Sequence, residues 1–283
     1  MKETALAIDV GGTKIAAGVV TGDGVVVDRA LAPTRGDTLL ADLVALARSV
    51  ATGAEAVCGV GCGGPMTRDG ELVSPLNIPA WRDFPLRRAL RDALGGPEVF
   101  VDNDAKALAL GEGWVGGAAG VPDYLAMVVS TGVGGGIVLG GRLLDGRSGN
   151  AGHIGHVIVE PGGRPCACGA RGCLEAEASG TAIAAATGRP AAEAPVDVRR
   201  RTGALVGRAA ASVANLLDLR LAVVAGSVAL GFGDDFFRSA QAELDRSARL
   251  SFSAGAVIRP AGLGADGPLV GAAAVGFRGL RGA

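Results

Sequence analysis

The sequence has 283 residues, of which 49% are hydrophobic and 19% charged, and its formal net charge is −1. This length allows one large domain or two modest ones, and the apolar share is enough for a sizeable core. A nearly neutral chain lacks the clustered Lys and Arg that a broad nucleic-acid surface requires. Asp9 interrupts the first apolar run too early for a signal peptide, and five cysteines without such a signal indicate a reducing cytoplasm rather than disulfides.

The first part of the chain alternates strand and helix patterns. Two apolar runs flank the glycine pair of "DVGGTK", and a third run follows "TGDG", which predicts three successive strands. A helical period covers residues 37–51, and "AVCGVGCGG" indicates a buried strand that runs into a glycine loop. A helix over "PLRRALRDAL" and the strand "EVFVDND" follow, and "DAKALALGEG" begins a helix directly after that strand.

The second part opens on the uncharged stretch "YLAMVVSTGVGGGIVLGG", residues 124–141. Its length is that of a membrane span, but its glycines divide it into strand, turn and strand, so no membrane insertion is expected. Helices are predicted over "GALVGRAAASVANLLDL", "FFRSAQAELDRSARL" and "LVGAAAVGF", with strands "LAVVAG" and "AVIRP" between them. Because "AIDVGGTKIAAGVV" and "MVVSTGVGGGIVLG" share one pattern, we predict a duplication into two similar α/β domains that meet within residues 113–123.

The paired glycine hairpins are the first candidate site. Glycines between two strands leave backbone N–H groups free to point at an anion and let a phosphate come close. Asp9, at the end of the first strand, is a hard oxygen ligand that would sit near a phosphate-bound Mg²⁺, while Thr13 and Lys14 add a donor and a charge. The alternative is a pair of tight hairpins in which the glycines serve only the turn.

The run "VDNDA" is the second candidate site. Asp102, Asn103 and Asp104 lie where a strand ends and a helix begins, so any one of them could simply cap the helix. An Asp at this place is kept ionised by the helix dipole, which suits a base that accepts a hydroxyl proton. A neighbouring Asn can both donate to and accept from a hydroxyl. The functional interpretation therefore requires a polyol substrate.

The third candidate site is "GHIGHVIVEPGGRPCACGARGCLE", which holds both histidines of the chain. Cys166, Cys168 and Cys173, with a histidine ten residues before the first cysteine, supply a Cys₃His set for tetrahedral zinc. Three unligated thiols are the alternative. Cys58 and Cys62 lie in an apolar strand and are predicted to be core thiols.

Taken in this order over nearly the whole chain, "DVGGTK", "GCGGP", "NIPAW", "VDNDA", "STGVGGG", "GHIGH", "CACGARGCLE", "ASG" and "AGS" resemble the ROK family of bacterial sugar kinases and repressors, in its glucokinase-like branch. The resemblance implies a pair of actin/hexokinase-like (ribonuclease H-like) α/β domains with a cleft between them that closes over a sugar and ATP. We place the first domain at residues 1–117, the second at 118–268, and a C-terminal helix that packs back on the first at 269–283.

The resemblance also implies roles for single residues. Asp104 would be the base that takes the proton from the sugar's terminal hydroxyl, commonly O6, as it attacks the γ-phosphate. Glu175 would accept a hydrogen bond from a sugar hydroxyl, and His156 would bind a structural zinc with the three cysteines while its surroundings touch the anomeric side. The other sugar-binding positions are Asn103, Gly64 and Asn77. The positions that would meet ATP and Mg²⁺ are Asp9, Gly11, Gly12, Thr13 and Lys14 on the first hairpin, Thr131, Gly132, Gly134 and Gly135 on the second, and Gly226 and Ser227 at the adenosine.

Two positions depart from the family pattern. The family usually has Glu where this chain has His153, and that Glu generally accepts hydrogen bonds from ring hydroxyls near C2 and C3. A His cannot replace two carboxylate oxygens. Either the sugar is modified at C2 or C3 or is held differently there, as in kinases of amino sugars such as 3-amino-3-deoxyglucose (kanosamine), or the protein is a glucokinase in which His153 substitutes adequately. Against an amino-sugar substrate, a cationic His153 would repel the ammonium group of the sugar. Lys106 replaces a common Asn and is predicted to be a solvated helix residue.

The two alternatives to a kinase are a repressor and a non-catalytic sugar sensor. A repressor of the same family would carry a winged helix-turn-helix before the first hairpin, and "DVGG" at residue 9 leaves no room for one, so DNA binding is not expected. A non-catalytic sugar sensor would be favoured by loss of Asp104, which is present. The resemblance further implies a cytoplasmic homodimer or dimer of dimers whose ligands are a small sugar and ATP.

Overall fold

A computed structural model of the protein describes residues 3–282, and its contacts divide the chain into two compact units. Unit 1 takes in the described residues of Met1–Ala119, Asp145–Ala151 and Leu263–Ala283, and unit 2 takes in Gly120–Leu144 and Gly152–Gly262. The predicted division at residues 117/118 and 268/269 is linear and leaves 145–151 in the second domain. The structure groups this segment with unit 1, since hydrogen bonds donated by Lys106 and by the Met66 N–H attach it there.

Unit 1 contains one five-stranded sheet in the order β3-β2-β1-β4-β5. Its strands are β1 (Thr4–Val10), β2 (Lys14–Thr21), β3 (Val26–Pro33), β4 (Val57–Cys62) and β5 (Glu98–Asn103). Its helices are α1 (Leu39–Val50), α2 (Leu86–Leu94), α3 (Asp104–Trp114) and α9 (Gly267–Leu280). Strands β1, β4 and β5 are parallel to one another, so their carboxyl ends lie at the same edge of the sheet.

The sequence of β1 explains how helices cover both faces of this sheet. Side chains alternate between the faces of a strand. Leu6 and Ile8 point to the face covered by α1 and α2, whereas Ala5 and Ala7 point to the face covered by α9. Small residues on the second face let α9 approach closely: a Cβ on Gly59 of β4 would lie 2.7 Å from the backbone nitrogen of Gly276 in α9.

Unit 2 contains a second five-stranded sheet, in the order β10-β9-β6-β7-β8. Its strands are β6 (Tyr124–Val129), β7 (Val133–Leu139), β8 (Arg142–Leu143), β9 (Leu221–Ala225) and β10 (Val257–Pro260). Its helices are α4 (Leu174–Ala178), α5 (Gly180–Thr187), α6 (Val196–Leu217), α7 (Ser227–Phe232) and α8 (Asp234–Ser247). The short helices α4, α5 and α7 were not predicted, because none is long enough to show a helical period.

The two sheets have the same connectivity. In each, the first strand forms an antiparallel hairpin with the second, the second pairs with the third, and the fourth and fifth strands extend the other side in parallel. The predicted duplication into two similar α/β domains is confirmed. The stretch 124–141 is strand, turn and strand as predicted. Among residues 3–282, no helix combines the length and the apolar composition that a membrane crossing needs.

Candidate active site

The turn between β1 and β2 is closed by backbone and side-chain hydrogen bonds. The Gly11 N–H donates to the Lys14 carbonyl at 3.1 Å, and the Thr34 hydroxyl donates to the Gly11 carbonyl at 2.7 Å. A Cβ on Gly12 would lie 2.6 Å from the Cβ of Asn77, so only glycine fits at this contact. The structure therefore brings two predicted positions together, and Thr34, which carried no signal in the sequence, supports the turn.

The loop after β4 reaches the same turn. The Gly64 carbonyl accepts a hydrogen bond from the Leu76 N–H at 3.3 Å, directly before Asn77. Two of the predicted sugar-binding positions, Gly64 and Asn77, are thus held near each other and near Gly12. Thr13 is exposed and its carbonyl accepts the Thr34 N–H at 3.0 Å.

The predicted carboxylates gather where the parallel strands of unit 1 end. Asp9 of β1 pairs with Gly61 of β4, and Gly61 pairs with Asp102 of β5. A Cβ on Gly61 would lie 3.7 Å from Asp9 Oδ1 and 3.6 Å from the Asp104 Cα. Asp9 and Asp104 therefore flank a single glycine, in the place where an α/β sheet presents its ligand site.

Burial shifts both of these carboxylates toward their protonated forms. It raises the pKa of Asp9 to about 7, the negative charge of Asp104 adds to the rise, and the Lys14 ammonium opposes it. Burial also raises the pKa of Asp104, although the Ala105 N–H donates to its Oδ1 at 2.8 Å. Ionised carboxylates supply the hard oxygens that Mg²⁺ prefers, and a divalent cation would favour the ionised form, so the pair fits a Mg²⁺ ion brought by a nucleotide.

Asn103 realises the capping alternative that the sequence left open. Its Oδ1 accepts the N–H groups of Ala105 at 3.0 Å and Lys106 at 3.3 Å, which fixes the start of α3. With the oxygen engaged in the cap, the side-chain amide nitrogen is the atom that remains to donate to a hydroxyl. The neighbouring prediction for Lys106 is wrong: its side chain is 3% exposed rather than solvated, because two carboxylates lie within hydrogen-bond reach of its Nζ.

The turn between β6 and β7 in unit 2 is shorter than the glycine run predicted. The Ser130 N–H donates to the Gly132 carbonyl at 2.9 Å, so the turn holds Thr131 and Gly132, and β7 already begins at Val133. Gly134 and Gly135 lie in the strand. A Cβ on Gly135 would lie 2.8 Å from the Ile154 side chain, so this glycine serves close packing.

The end of β9 lies beside that turn. Gly226 has a φ of 102° and faces the backbone of Val129, a conformation and a proximity that favour glycine. The Ser227 and Ser130 hydroxyl oxygens are 3.0 Å apart. The positions predicted for the nucleotide in this unit are therefore adjacent in space.

Glu175 also meets the β6–β7 turn. Its Oε2 accepts the Val133 N–H at 3.0 Å, and a Cβ on Gly132 would lie 2.9 Å from the same oxygen. The predicted role of Glu175 is to accept from a sugar hydroxyl. In the structure, one of its oxygens also orders the glycine turn. Glu175 and Val133 are 42 residues apart, so no local sequence pattern predicts this contact.

The predicted metal ligands converge in unit 2. His156 Nδ1 is 3.7 Å from Cys166 Sγ, and Cys168 Sγ is 3.7 Å from Cys173 Sγ. All four ligand atoms lie within 4.8 Å of one another. Zn–S bonds of about 2.3 Å in a tetrahedron place two sulfurs about 3.8 Å apart, so the set fits zinc.

The segment that carries these ligands is supported by a residue that the sequence interpretation missed. Glu177 is 2% exposed, and its carboxylate accepts the Arg164 N–H at 2.6 Å and an Arg201 guanidinium hydrogen at 2.8 Å. It orders the turn that leads into Cys166. His153 is exposed and its ring stacks on that of His156, with centroids 6.0 Å apart and planes 18° from parallel.

Comparison with known proteins identifies the family. The sequence profile of the ROK family matches residues 5–277. The chain belongs to the ROK family. It is 39% identical over 251 residues to the N-acetylmannosamine kinase of Escherichia fergusonii, which covers 81% of this chain and 85% of that protein. To the glucokinase of Thermotoga maritima it is 40% identical over 185 residues, which covers 63% of this chain and 58% of that protein.

A solved structure of the family has the same fold. The ROK family glucokinase from Streptomyces griseus, in complex with glucose and AMPPNP, superimposes with a TM-score of 0.85 at 30% identity, over 97% of this chain and 99% of that one. Together with the two equivalent sheets, this likeness confirms the predicted hexokinase-like fold of two α/β domains.

Proposed function

We propose that the protein is an ATP-dependent kinase that transfers the γ-phosphoryl group to the 6-hydroxyl of a hexose. The observation that carries the proposal is the placement of Asp104. This half-buried residue begins α3 at the carboxyl end of the parallel strands, beside Asp9, which ends β1 just before its glycine turn. A carboxylate base next to a phosphate cradle is the arrangement that phosphoryl transfer to an alcohol requires.

The predicted site residues of unit 1 have proposed parts in the reaction. Asp104 accepts the proton of the attacking hydroxyl, and the Asn103 amide nitrogen donates to a neighbouring ring hydroxyl, with Gly64 and Asn77 at the same sugar. Backbone N–H groups of the turn at Gly12 and the Lys14 ammonium attract the phosphate oxygens. Because there is little covalent chemistry for the protein to do, positioning and charge neutralisation supply most of the rate enhancement.

Unit 2 has proposed parts in nucleotide and sugar binding. The turn at Thr131 and Gly132 and the backbone at Gly226 and Ser227 form a second surface that suits phosphate and nucleoside. Glu175, through the oxygen that does not bind Val133, accepts from a sugar hydroxyl. Zinc held by His156 and the three cysteines would stiffen the segment 156–173 that carries these ligands. Mg²⁺ bound with ATP would neutralise charge on the phosphates, near Asp9.

The relatives support this activity and suggest two sugars. The Streptomyces griseus relative is a glucokinase bound to glucose and an ATP analogue, and the Escherichia fergusonii relative is an N-acetylmannosamine kinase. Of the two sequence relatives, the N-acetylmannosamine kinase matches the larger share of this chain, 81% against 63%. The relatives thus support a hexose kinase of either kind.

We propose an N-acetylated amino sugar modified at C2 in preference to glucose, because of His153. A carboxylate in this position could accept from two ring hydroxyls, whereas a neutral imidazole offers one donor and one acceptor. A neutral acetamide group matches that capacity and avoids the repulsion that a cationic His would exert on the ammonium of a free amino sugar. Glucose remains the second candidate, supported by the glucokinase relatives.

The test is ADP release from ATP and Mg²⁺ across a panel of sugars, with zinc-replete protein. The panel contains glucose, mannose, fructose, glucosamine, N-acetylmannosamine and 3-amino-3-deoxyglucose. We expect turnover with at least one hexose, and the highest kcat/KM with N-acetylmannosamine. Preference for glucose would overturn the proposal for the sugar but not for the activity. Silence across the panel would overturn the kinase and favour a sugar sensor.

The variant Asp104→Asn tests whether Asp104 is the general base. The Asn oxygen can still accept the Ala105 N–H, so the start of α3 is preserved. We expect turnover to fall by about 10²- to 10⁴-fold, the usual contribution of a general base, while sugar binding is largely kept. An Asp104→Asn protein as fast as the parent would show that Asp104 is not the base.

A further inference from the structure

Four charged side chains form a closed network in unit 1 that the proposed chemistry does not use. Lys106 Nζ lies 2.9 Å from Asp102 Oδ1 and 2.7 Å from Asp145 Oδ1. The Arg278 guanidinium lies 2.8 Å from Asp145 Oδ2 and 3.6 Å from Asp102 Oδ2. Each cation thus bridges the same two carboxylates, one from β5 and one from the segment Asp145–Ala151.

The ammonium at the centre of this network is fully satisfied. Its third acceptor is the Gly149 carbonyl at 3.0 Å, so the three donors of a lysine have three acceptors. Burial raises the pKa of Asp102, and the Lys106 ammonium opposes that rise. Two cations balance two carboxylates. A buried ion pair often adds little net stability, because desolvation of the charges offsets their attraction, so the main effect of the network is to hold its segments in place.

One end of the network reaches the residues proposed for catalysis. The Asp102 Oδ1 that receives the Lys106 ammonium also accepts the Asn103 N–H at 2.7 Å. Lys106 therefore fixes the carboxylate that orients the last backbone N–H of β5. The next residue, Asp104, begins α3, and Lys106 itself lies in the first turn of that helix.

The other end of the network reaches the segment Asp145–Ala151. Lys106 holds this segment at Asp145 and Gly149. Asn150 Oδ1 accepts the Met66 N–H at 3.2 Å, and the Asn150 side-chain amide donates to the Met66 carbonyl at 2.8 Å. Met66 follows Gly64 by two residues. The segment is thereby fastened both to the helix that begins with Asp104 and to the loop after β4.

We infer that Lys106 is a positioning residue for the proposed base: by bridging Asp102 and Asp145, it fixes the start of α3 and the segment Asp145–Ala151 in one arrangement. This inference rests on the proposed function, because Asp104 is taken as the base. Lys106 touches no reacting atom and acts through Asp102.

The test compares Lys106→Met with Arg88→Met, both assayed well below their melting temperatures with the best sugar of the panel. Arg88 is the matched control because it forms an i,i+4 pair with Asp92 in the same unit, with a side chain that is 73% exposed. For Lys106→Met we expect kcat to fall about tenfold to a hundredfold, the range that displacement by about 1 Å produces, with KM for ATP within about twofold of the parent. Arg88→Met should match the parent in both.

A charge-balanced double variant separates positioning from stability. Lys106→Met with Asp145→Asn removes one cation and one carboxylate and leaves Arg278 with Asp102. We expect the melting temperature to recover toward that of the parent while kcat stays low. Recovery of kcat together with the melting temperature would overturn the inference, and so would an unchanged kcat in Lys106→Met. If Lys106→Met does not fold, the double variant carries the kinetic comparison.

Amide hydrogen exchange gives a readout that does not depend on the kinase. In the double variant we expect faster exchange at Asn103, Ala105 and residues 145–151 than in the parent, and unchanged exchange in unit 2. Unchanged exchange at these amides would overturn the inference. A parent protein that turns over no sugar while the variant shows the faster exchange would instead refute the proposed function, and would leave only the structural role of Lys106 in fixing the start of α3 and residues 145–151.

Discussion

The Asp104 backbone lies across a single glycine, Gly61, from the carboxyl group of Asp9. Burial raises the pKa of both, and the negative charge of Asp104 raises that of Asp9 further. A carboxylate with a raised pKa is a stronger base toward a hydroxyl than an exposed Asp, although it needs a higher pH to be ionised. The residue type is ordinary, and its surroundings supply the proposed reactivity.

His153 is the residue at which we expect sugar preference to be decided. In His153→Glu, a carboxylate that accepts from two hydroxyls should raise kcat/KM for glucose relative to N-acetylmannosamine by about tenfold or more, since one hydrogen bond to a charged group contributes about 1.5–3 kcal/mol. The measurement is the ratio of the two kcat/KM values. His153→Gln, which keeps one acceptor and one donor group, is the control and should leave the ratio near that of the parent.

The zinc content of both variants needs to equal that of the parent, because the His153 ring stacks on His156. A ratio that His153→Glu leaves unchanged at full zinc occupancy would show that His153 does not select the sugar.

At the scale of elements, the cysteine segment and the β6–β7 turn are joined through α4. This helix begins directly after Cys173, and its Glu175 binds the Val133 N–H of the turn. The start of α5 adds further bonds, from the Gly180 N–H to the Ser130 carbonyl at 2.7 Å and from the Thr181 hydroxyl to the Thr131 carbonyl at 3.0 Å. A metal bound by this segment would therefore also fix the turn.

Loss of the metal should consequently weaken nucleotide binding. For Cys173→Ser we expect bound zinc to fall from about one per chain to a small fraction, as one of four ligands is lost. The melting temperature should fall by about 4–8 °C, corresponding to about 2 kcal/mol. KM for ATP should rise, because α4 no longer holds Glu175 against the turn.

Cys58→Ala is the control for this experiment. Cys58 is a buried thiol of unit 1, so its loss should leave both the zinc content and KM for ATP unchanged. Zinc measured by elemental analysis at the parental level in Cys173→Ser would contradict the assignment of the site.

At the scale of the whole chain, each unit repeats one plan, and unit 1 is completed by the far end of the sequence. Helix α9 packs on β1 and β4, so the first and last elements of the chain share one core. The close approach rests on glycines in both elements. A Cβ on Gly276 would lie 3.0 Å from the Gly59 nitrogen, and one on Gly59 would lie 2.7 Å from the Gly276 nitrogen.

Adding one methyl group at this contact should destabilise unit 1. For Gly59→Ala we expect a loss of about 1–3 kcal/mol, because the new Cβ meets backbone atoms that cannot move aside as a side chain could. Thermal unfolding measures the change. Gly231→Ala is the matched control: a Cβ there meets nothing within 4 Å, and alanine favours a helix, so its melting temperature should equal or exceed that of the parent. A Gly59→Ala protein as stable as the parent would contradict the packing.

The features that the sequence determined by itself are those with local patterns. The strand-turn-strand repeat, the polar run at the end of β5 and the Cys₃His spacing each occupy one short stretch, and each predicted its structure correctly. The family resemblance rested on the same stretches. Strand ends and turns follow from the chemistry of neighbouring residues, so they can be predicted from the sequence without knowledge of the fold.

Only the tertiary structure decided the partners of charged side chains that lie far apart in the sequence. Lys106 meets Asp145 across 39 residues and Arg278 meets Asp145 across 133, so no periodicity links them. A lysine on a helix is usually solvated, and that expectation failed because the fold brings two carboxylates to its ammonium. The physical reason is general: local patterns record which residues are buried, whereas ion-pair partners depend on which segments the fold places together.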